Sequence, residues 1–368
     1  TSALLDTTGA SIVGGTIGDA WALPNGDFIF YALDSATKGH LYVAHTNAGT
    51  WTVGANATLY NDSKAVLDIG RKSGVHPANN RSLHHRSLCV ATIGGATVLL
   101  FGEYNVSSGR VAGSTNDQVR VWKSTDSGLT WAILLDFNGN GSTSQVRHTH
   151  GIVQDPITGK IYFLFGDDPT SGLLRWDGVS AAPAANTALS AFRGVTGWEV
   201  LWDSTYPDTY RSGDLVFSGD KAGYLIDRAG EPQVARFLLP RVMPRTGKMV
   251  VAPCPGPDLS ARRDPLIGIA LPQGGAMWFS MWDTSVGGSR GFDVWASSDL
   301  VQWAKIGAIA DVGVSGTVGT ITNVWWTSEN QLAVAMSSGG AKLVAGSFGG
   351  TLLFDTTAVW DGVQRALS

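Results

Sequence analysis

One pattern recurs along the chain and constrains its fold more than any other feature. Two apolar residues and an aromatic are followed by a few small or aromatic residues and then an acid. It reads FIFYALD at 28–34, VLLFGEY at 98–104, YFLFGDD at 162–168, DLVFSGD at 214–220 and MWFSMWD at 277–283, and LAVAMSS at 332–338 repeats it without the acid. Successive copies start about 50 to 70 residues apart, the length of a four-stranded propeller blade with generous loops. Turn signals stand just before several copies: PNGD (24–27), IGGA (93–96), DPITGK (155–160) and PQGGA (272–276). Each closes a first strand and opens the repeated one. The pattern predicts an all-β chain, a single β-propeller over residues 1–368, six-bladed, with seven blades as the alternative. Closure leaves no exposed sheet edge, so TSALLDTTGASI at the start is expected to pair near GTLLFDTT (350–357).

Composition agrees. Of 368 residues, 43% are hydrophobic and 15% charged, with 47 Gly and 14 Trp. That suits a large core, many short strands and tight turns. The net charge of −4, with no basic run, argues against a nucleic-acid partner. No apolar run approaches the ~20 residues of a membrane helix, so membrane insertion is not expected. The chain opens on Thr1 with neither an initiator Met nor a signal-like segment, and a removed leader or a fragment is expected. Cys89 and Cys254 are read as buried free thiols, one disulfide being the alternative. Phosphate-binding loops, H-E-x-x-H and C-x-x-C are all missing, which removes support for nucleotide and zinc-peptidase readings.

An antiparallel hairpin brings the start of its first strand and the end of its second to one edge. The acids ending the repeats, Asp34, Glu103, Asp167, Asp168, Asp220 and Asp283, are therefore expected on one face of the ring. The same edge should receive whatever precedes each first strand: RSLHHR (81–86) before SLCVATI, and QVRHTH (145–150) before GIVQDP. GWEVLWDS (197–204), read as another innermost strand, would add Trp198, Glu199, Trp202 and Asp203. Five of the seven histidines lie between 76 and 150, four of them in the two motifs. His148 and His150, two apart on a strand, share a face at roughly 7 Å. With Arg147 and His84 or His85 they can bind an acidic sugar, ligate a metal or shuttle a proton. The alternative is a pair hydrogen-bonded to backbone at the start of a strand.

STDSGLTW (124–131) lies between the strand QVRVWK and AILLDF. Asp126 there can accept from neighbouring amides, Gly128 can take a positive φ, and Trp131 turns back into the core. The stretch matches the Asp-box S-x-D-x-G-x-T-W, with SSDLVQW (297–303) a shorter relative and HTNAGTW (45–51) a degraded one. On these motifs, and on the segment from Glu103 to Asp168, the chain resembles sialidase-like β-propellers with Asp-box (BNR) repeats, of bacterial and phage type. The resemblance implies a secreted or virion-borne protein that meets glycans, as a hydrolase, a lyase or a non-catalytic head. The Phe-Arg-Ile-Pro motif of sialidases proper is missing. FRGVT (192–196) stands elsewhere and lacks Ile-Pro, which argues against sialic acid.

The functional expectation is a carbohydrate-active enzyme on an extracellular or cell-envelope polysaccharide. His85, Glu103, Tyr104, His148, His150 and Asp167 are the catalytic candidates. His84, Arg86, Arg147, Trp202, Tyr206 and Asp220 are the substrate-binding ones. Paired carboxylates suit glycoside hydrolysis. A Tyr beside His and Arg suits β-elimination on a uronate, where Arg offsets the substrate carboxylate and His or Tyr takes the C5 proton. Any single acid has a simpler alternative: it ties down a loop backbone or holds a structural cation. Trp202 and Tyr206 are candidates to stack on a sugar ring; core packing is the competing role. No cofactor is required on this reading. DFNGNG (136–141) opens like a calcium loop but meets Arg147 at its twelfth position, so an EF-hand is excluded and only a looser structural calcium is left. The rival function is a glycan-binding head such as a phage tail receptor-binding domain.

Overall fold

The computed structural model describes residues 4–5, 11–12, 16–33, 39–44, 46–47, 50–51, 63–69, 86–103, 118–138, 146, 148–166, 171–185, 188–203, 212–219, 221–226, 233–238, 250–253, 262–272, 274–283, 290–300, 303–310, 319–327, 331–338 and 349–355. Strands account for nearly all the regular structure; a single 3-10 turn, Leu189–Phe192, is the exception among the described residues.

Contacts divide the chain into two compact units, one holding 1–154, 159–165 and 173–203, the other 155–158, 166–172 and 204–368. The first unit carries three sheets. Sheet one contains β1 (Leu4–Leu5), β2 (Ser11–Ile12), β3 (Thr16–Ala22), β4 (Phe28–Leu33) and β5 (Gly39–Ala44). The small hairpin β6 (Thr46–Asn47) and β7 (Thr50–Trp51) comes next, and β8 (Ser63–Ile69) rejoins the sheet, in the order β2-β1-β8-β5-β4-β3. Sheet two is β9 (Leu88–Ile93), β10 (Ala96–Gly102), β11 (Gln118–Ser124) and β12 (Ala132–Asn138), in chain order. Sheet three is β13 (His148–Gln154), β14 (Ile161–Gly166), β15 (Gly172–Trp176) and β16 (Trp198–Trp202).

The second unit repeats the plan. Sheet four is β17 (Ser212–Ser218), β18 (Lys221–Ile226), β19 (Gln233–Leu238) and β20 (Val250–Pro253). Sheet five is β21 (Arg262–Ala270), β22 (Ala276–Asp283), β23 (Arg290–Ser297) and β24 (Ala304–Ala310). Sheet six has β25 (Gly319–Trp326), β26 (Gln331–Ser338) and β27 (Gly349–Asp355). Six meandering sheets in chain order are the construction of an all-β propeller.

The turns form as their residues dictate. Gly94 and Gly95, at φ 59° and 82°, make the two-residue turn between β9 and β10, the form that matches strand twist. At 124–131 the Ser124 hydroxyl donates to Asp126 (2.8 Å) and accepts from the Gly128 amide (2.9 Å). Asp126 also accepts from the Thr130 amide and hydroxyl at 2.9 and 2.5 Å, and the Trp131 indole donates to Gly128 O at 2.8 Å. Burial works against ionisation of Asp126, but the bonds from Thr130 and Ser124 prevail and hold its carboxyl below the usual range. Ser297, Asp299 and Leu300 reproduce the first half of this turn between β23 and β24. β6 and β7 occupy the same place between β5 and β8.

The core explains the unbroken apolar runs. On β10, Leu99 and Phe101 join Leu23, Ile29, Leu41, Val43 and Leu88 in one cluster. Val98 and Leu100 turn the other way, into a second cluster with Phe137, Ile152, Phe163, Trp176 and Trp198. A strand covered on both faces cannot alternate apolar with polar.

Two expectations are corrected. DLVFSGD forms the first strand of its sheet, β17, whereas the other copies form second strands. GWEVLWDS supplies β16, the fourth strand, at the far edge of sheet three from β13. The N-terminal β1 pairs in parallel with β8, Leu5 against Lys64.

Candidate functional site

Arg86 precedes β9, Glu103 follows β10, and His148, Thr149 and His150 open β13. Backbone bonds bring these three ends together. The Thr149 amide donates to Glu103 O at 3.0 Å, the Ile152 amide to Arg86 O at 2.9 Å, and the Gly102 amide to Ser87 O at 2.8 Å. The approach is close enough to require glycine. A β-carbon on Gly102 would lie 2.5 Å from Thr149 Cγ2, and one on Gly151 would lie 3.0 Å from Arg86 Cβ. The edge shared by sheets two and three thus collects an arginine, a glutamate and two histidines, as hairpin geometry predicts.

His148 and His150 are 1% and 4% exposed. Their ring planes are nearly parallel, at 16° with centroids 4.7 Å apart, and their Nε2 atoms are 2.8 Å apart. One Nε2–H donates to the lone pair of the other. Glu103 is half-buried, its Oε1 accepting from the Trp122 indole at 2.8 Å and its Oε2 from the Arg120 amide at 3.0 Å. Burial outweighs these bonds and the Arg120 charge, and with the Asp136 carboxylate it pushes the Glu103 carboxyl up to about 7. Such a group exchanges a proton near neutrality. Arg120 stands between two acids, its Nε 3.6 Å from Asp136 Oδ1.

Other predicted members are placed differently. Trp202 is 1% exposed on the fourth strand, so its ring offers no face to a sugar, a correction that follows from the strand order. Glu199 pairs with Arg175, and with Lys160 at 3.8 Å, while Asp203 takes a 2.7 Å bond from Arg193. The Trp198 ring stacks on Trp176 and Phe163. Asp136 and Phe137 lie within β12, one beside Arg120 and the other in the core, and Asn138 ends that strand, so the calcium-like stretch begins as strand; residues 139–141 lie outside the described residues. So do His84, His85, Tyr104, Arg147, Asp167, Tyr206, Asp220 and Cys254. Cys89 is a free, buried thiol, pushed up to about 12 by burial. Among the described residues no group of three or more His, Cys, Asp or Glu is gathered as a metal site.

Arg120, Trp122 and Asp136 went unrecognised in the sequence. Their signal is R-x-W on β11 opposite the end of an acid-terminated β10, where Phe101 pairs with Trp122 and Gly102 with Val121.

No family model matches the chain, nor does any curated protein. Among solved structures, the chain is similar to the periplasmic gluconolactonase PpgL of Pseudomonas aeruginosa. Identity is 11% and the TM-score 0.50, over 91% of this chain and 85% of that one. It is also similar to the α-L-arabinofuranosidase Arb93A of Fusarium graminearum (10% identity, TM-score 0.48, 94% of each chain) and to an α-L-arabinanase of Penicillium chrysogenum (13%, 0.45, 92% of each). Together with the six sheets, the likeness to the gluconolactonase identifies the fold as an all-β propeller.

Proposed function

We propose that the protein is a carbohydrate-active propeller with its site where β9, β10 and β13 meet. The observation that supports it is the Thr149–Glu103 backbone bond, which joins the strand carrying two buried imidazoles to the backbone of a glutamate whose carboxyl titrates near neutrality. Ionisable groups gathered in this way mark functional sites. Arg86 lies at the same edge to meet an acidic sugar, and His84, His85, Tyr104, Arg147 and Asp167 are the further members proposed. The turns at 124–131 and 297–303 are read as Asp-boxes, which makes the sialidase-like group the proposed affiliation. An extracellular or virion-borne setting and an extracellular or cell-envelope polysaccharide as partner go with it.

Both chemistries are tested in one incubation. On a uronate-containing polymer, new absorbance near 235 nm signals elimination; rising reducing ends without it signal hydrolysis. His148→Ala should abolish either signal. Full activity in a folded His148→Ala variant would remove the site.

A second reading, a non-catalytic glycan-binding head, is favoured by one observation. Both Glu103 oxygens already accept bonds from Trp122 and Arg120, as they would in a structural role. Glycan-array binding that persists with no product after long incubation would select it.

A further inference from the structure

We propose that Asp136 is a positioning residue for the candidate site: it holds the Arg120 guanidinium away from Glu103, so that Glu103 keeps a proton to exchange. The three residues form one row across neighbouring strands. Gly102 pairs with Val121, and the Glu103 amide donates to Arg120 O at 3.0 Å, so Glu103 stands opposite Arg120. On its other side Arg120 pairs with Asp136. Directly opposed residues lie about 5 Å apart at Cβ, so the guanidinium has an acid within reach on either hand. It takes Asp136, its Nε lying 3.6 Å from Asp136 Oδ1.

The donors that Glu103 receives instead are neutral: the Trp122 indole at 2.8 Å and the Arg120 backbone amide at 3.0 Å. The same indole also carries the Arg120 guanidinium, whose carbon lies over the ring at 5.7 Å from its centroid, a cation–π distance. One ring thus serves both charges, bonding the acid through its edge and the cation through its face. A guanidinium bonded to a carboxylate holds it ionised well below neutrality. Neutral N–H donors do so less strongly, and at Glu103 burial prevails over them and over the more distant Arg120 charge. The other ionisable groups bonded into this edge are Arg86, whose carbonyl accepts from Ile152, and His148 and His150, bonded to each other. The inference rests on reading this edge as the site and goes beyond it by giving Arg120 and Asp136 their part.

The test is a carbon-13 titration of the Glu103 carboxyl in the full chain, its signal assigned by its loss in Glu103→Gln. No substrate is present, so failure here is distinct from failure of the polymer incubation. Asp136→Asn should free Arg120 to turn to Glu103 and weaken the proton affinity of Glu103 about tenfold or more. Losing a nearby negative charge acts in the same direction, and a double-mutant cycle with Arg120→Gln separates the two. In the Arg120→Gln background, Asp136→Asn should change the affinity by less than about twofold. Equal effects in both backgrounds, or an unchanged Glu103 in folded Asp136→Asn, overturn the proposal. Should the variants not fold, nitrogen-15 spectra of the wild-type arginine side chains decide. Solvent exchange at the Arg120 Nε–H that stays constant while Glu103 ionises supports Asp136 as its holder. Exchange that slows as Glu103 ionises, as in a new ion pair, overturns it.

Discussion

Glu103 shows how one side chain can make stability depend on pH. Its folded carboxyl titrates near 7, against an ordinary value of 4.5. The stabilising contribution of the protonated form is therefore fully present below 4.5 and is lost as pH rises through 7. Allowing for the group's partial exposure, the change is about 1–3 kcal/mol. Glu103→Gln should flatten the melting temperature between those pH values; an unchanged slope would show that another group titrates. Asp126 behaves with the opposite sign. Its lowered value makes its contribution present above the unfolded carboxylate pKa and lost as pH falls through the folded one. Gly128 sits at φ 88°, and a β-carbon there would lie 2.6 Å from Ile29 Cδ1. Gly128→Ala should cost about 1–3 kcal/mol by urea unfolding, part from the positive φ and part from overpacking. A loss below a few tenths would mean that the turn relaxes freely.

Among the elements, the turns carry local information and the strands carry long-range consequences. Gln154 illustrates the second. Its side-chain amide binds the Thr92 amide and carbonyl at 2.8 and 2.7 Å and reaches Gly159 O at 3.0 Å. It thus ties together β9 and β13, the first strands of two different sheets. Gln154→Ala should lower stability by about 1–2 kcal/mol and speed hydrogen exchange at Thr92; unchanged exchange there would show that water replaces the clamp. Turn chemistry and the two-faced apolar strands were legible before any coordinates, as PNGD, IGGA and VLLF show. The phase of strands within a sheet was not. DLVFSGD reads like its sister repeats but is a first strand, and GWEVLWDS reads like an inner strand but is a fourth. A strand buried on both faces looks the same in any position of its sheet, so periodicity carries no strand number.

For the whole molecule, the sheet order predicts a gradient of protection. β13 and β14 are buried almost throughout, whereas β12 exposes Ala132 and Ile133. Hydrogen exchange should be slowest over 148–154 and 161–166 and clearly faster over 132–138. Equal rates would mean that edge strands open only with the whole unit.

What the sequence alone determined was the all-β class, the six repeats, the hairpin turns and the approach of the start of β13 to the end of β10. Each depends on contacts between near neighbours in the chain, whose spacing sets which way a side chain points. Tertiary structure alone decided that Trp202 is core, that Glu103 answers to Arg120, Trp122 and Asp136, that β1 joins β8, and that two imidazoles meet nitrogen to nitrogen. Those outcomes depend on which distant strands pair and what they exclude from water, a competition among long-range arrangements that no local pattern records.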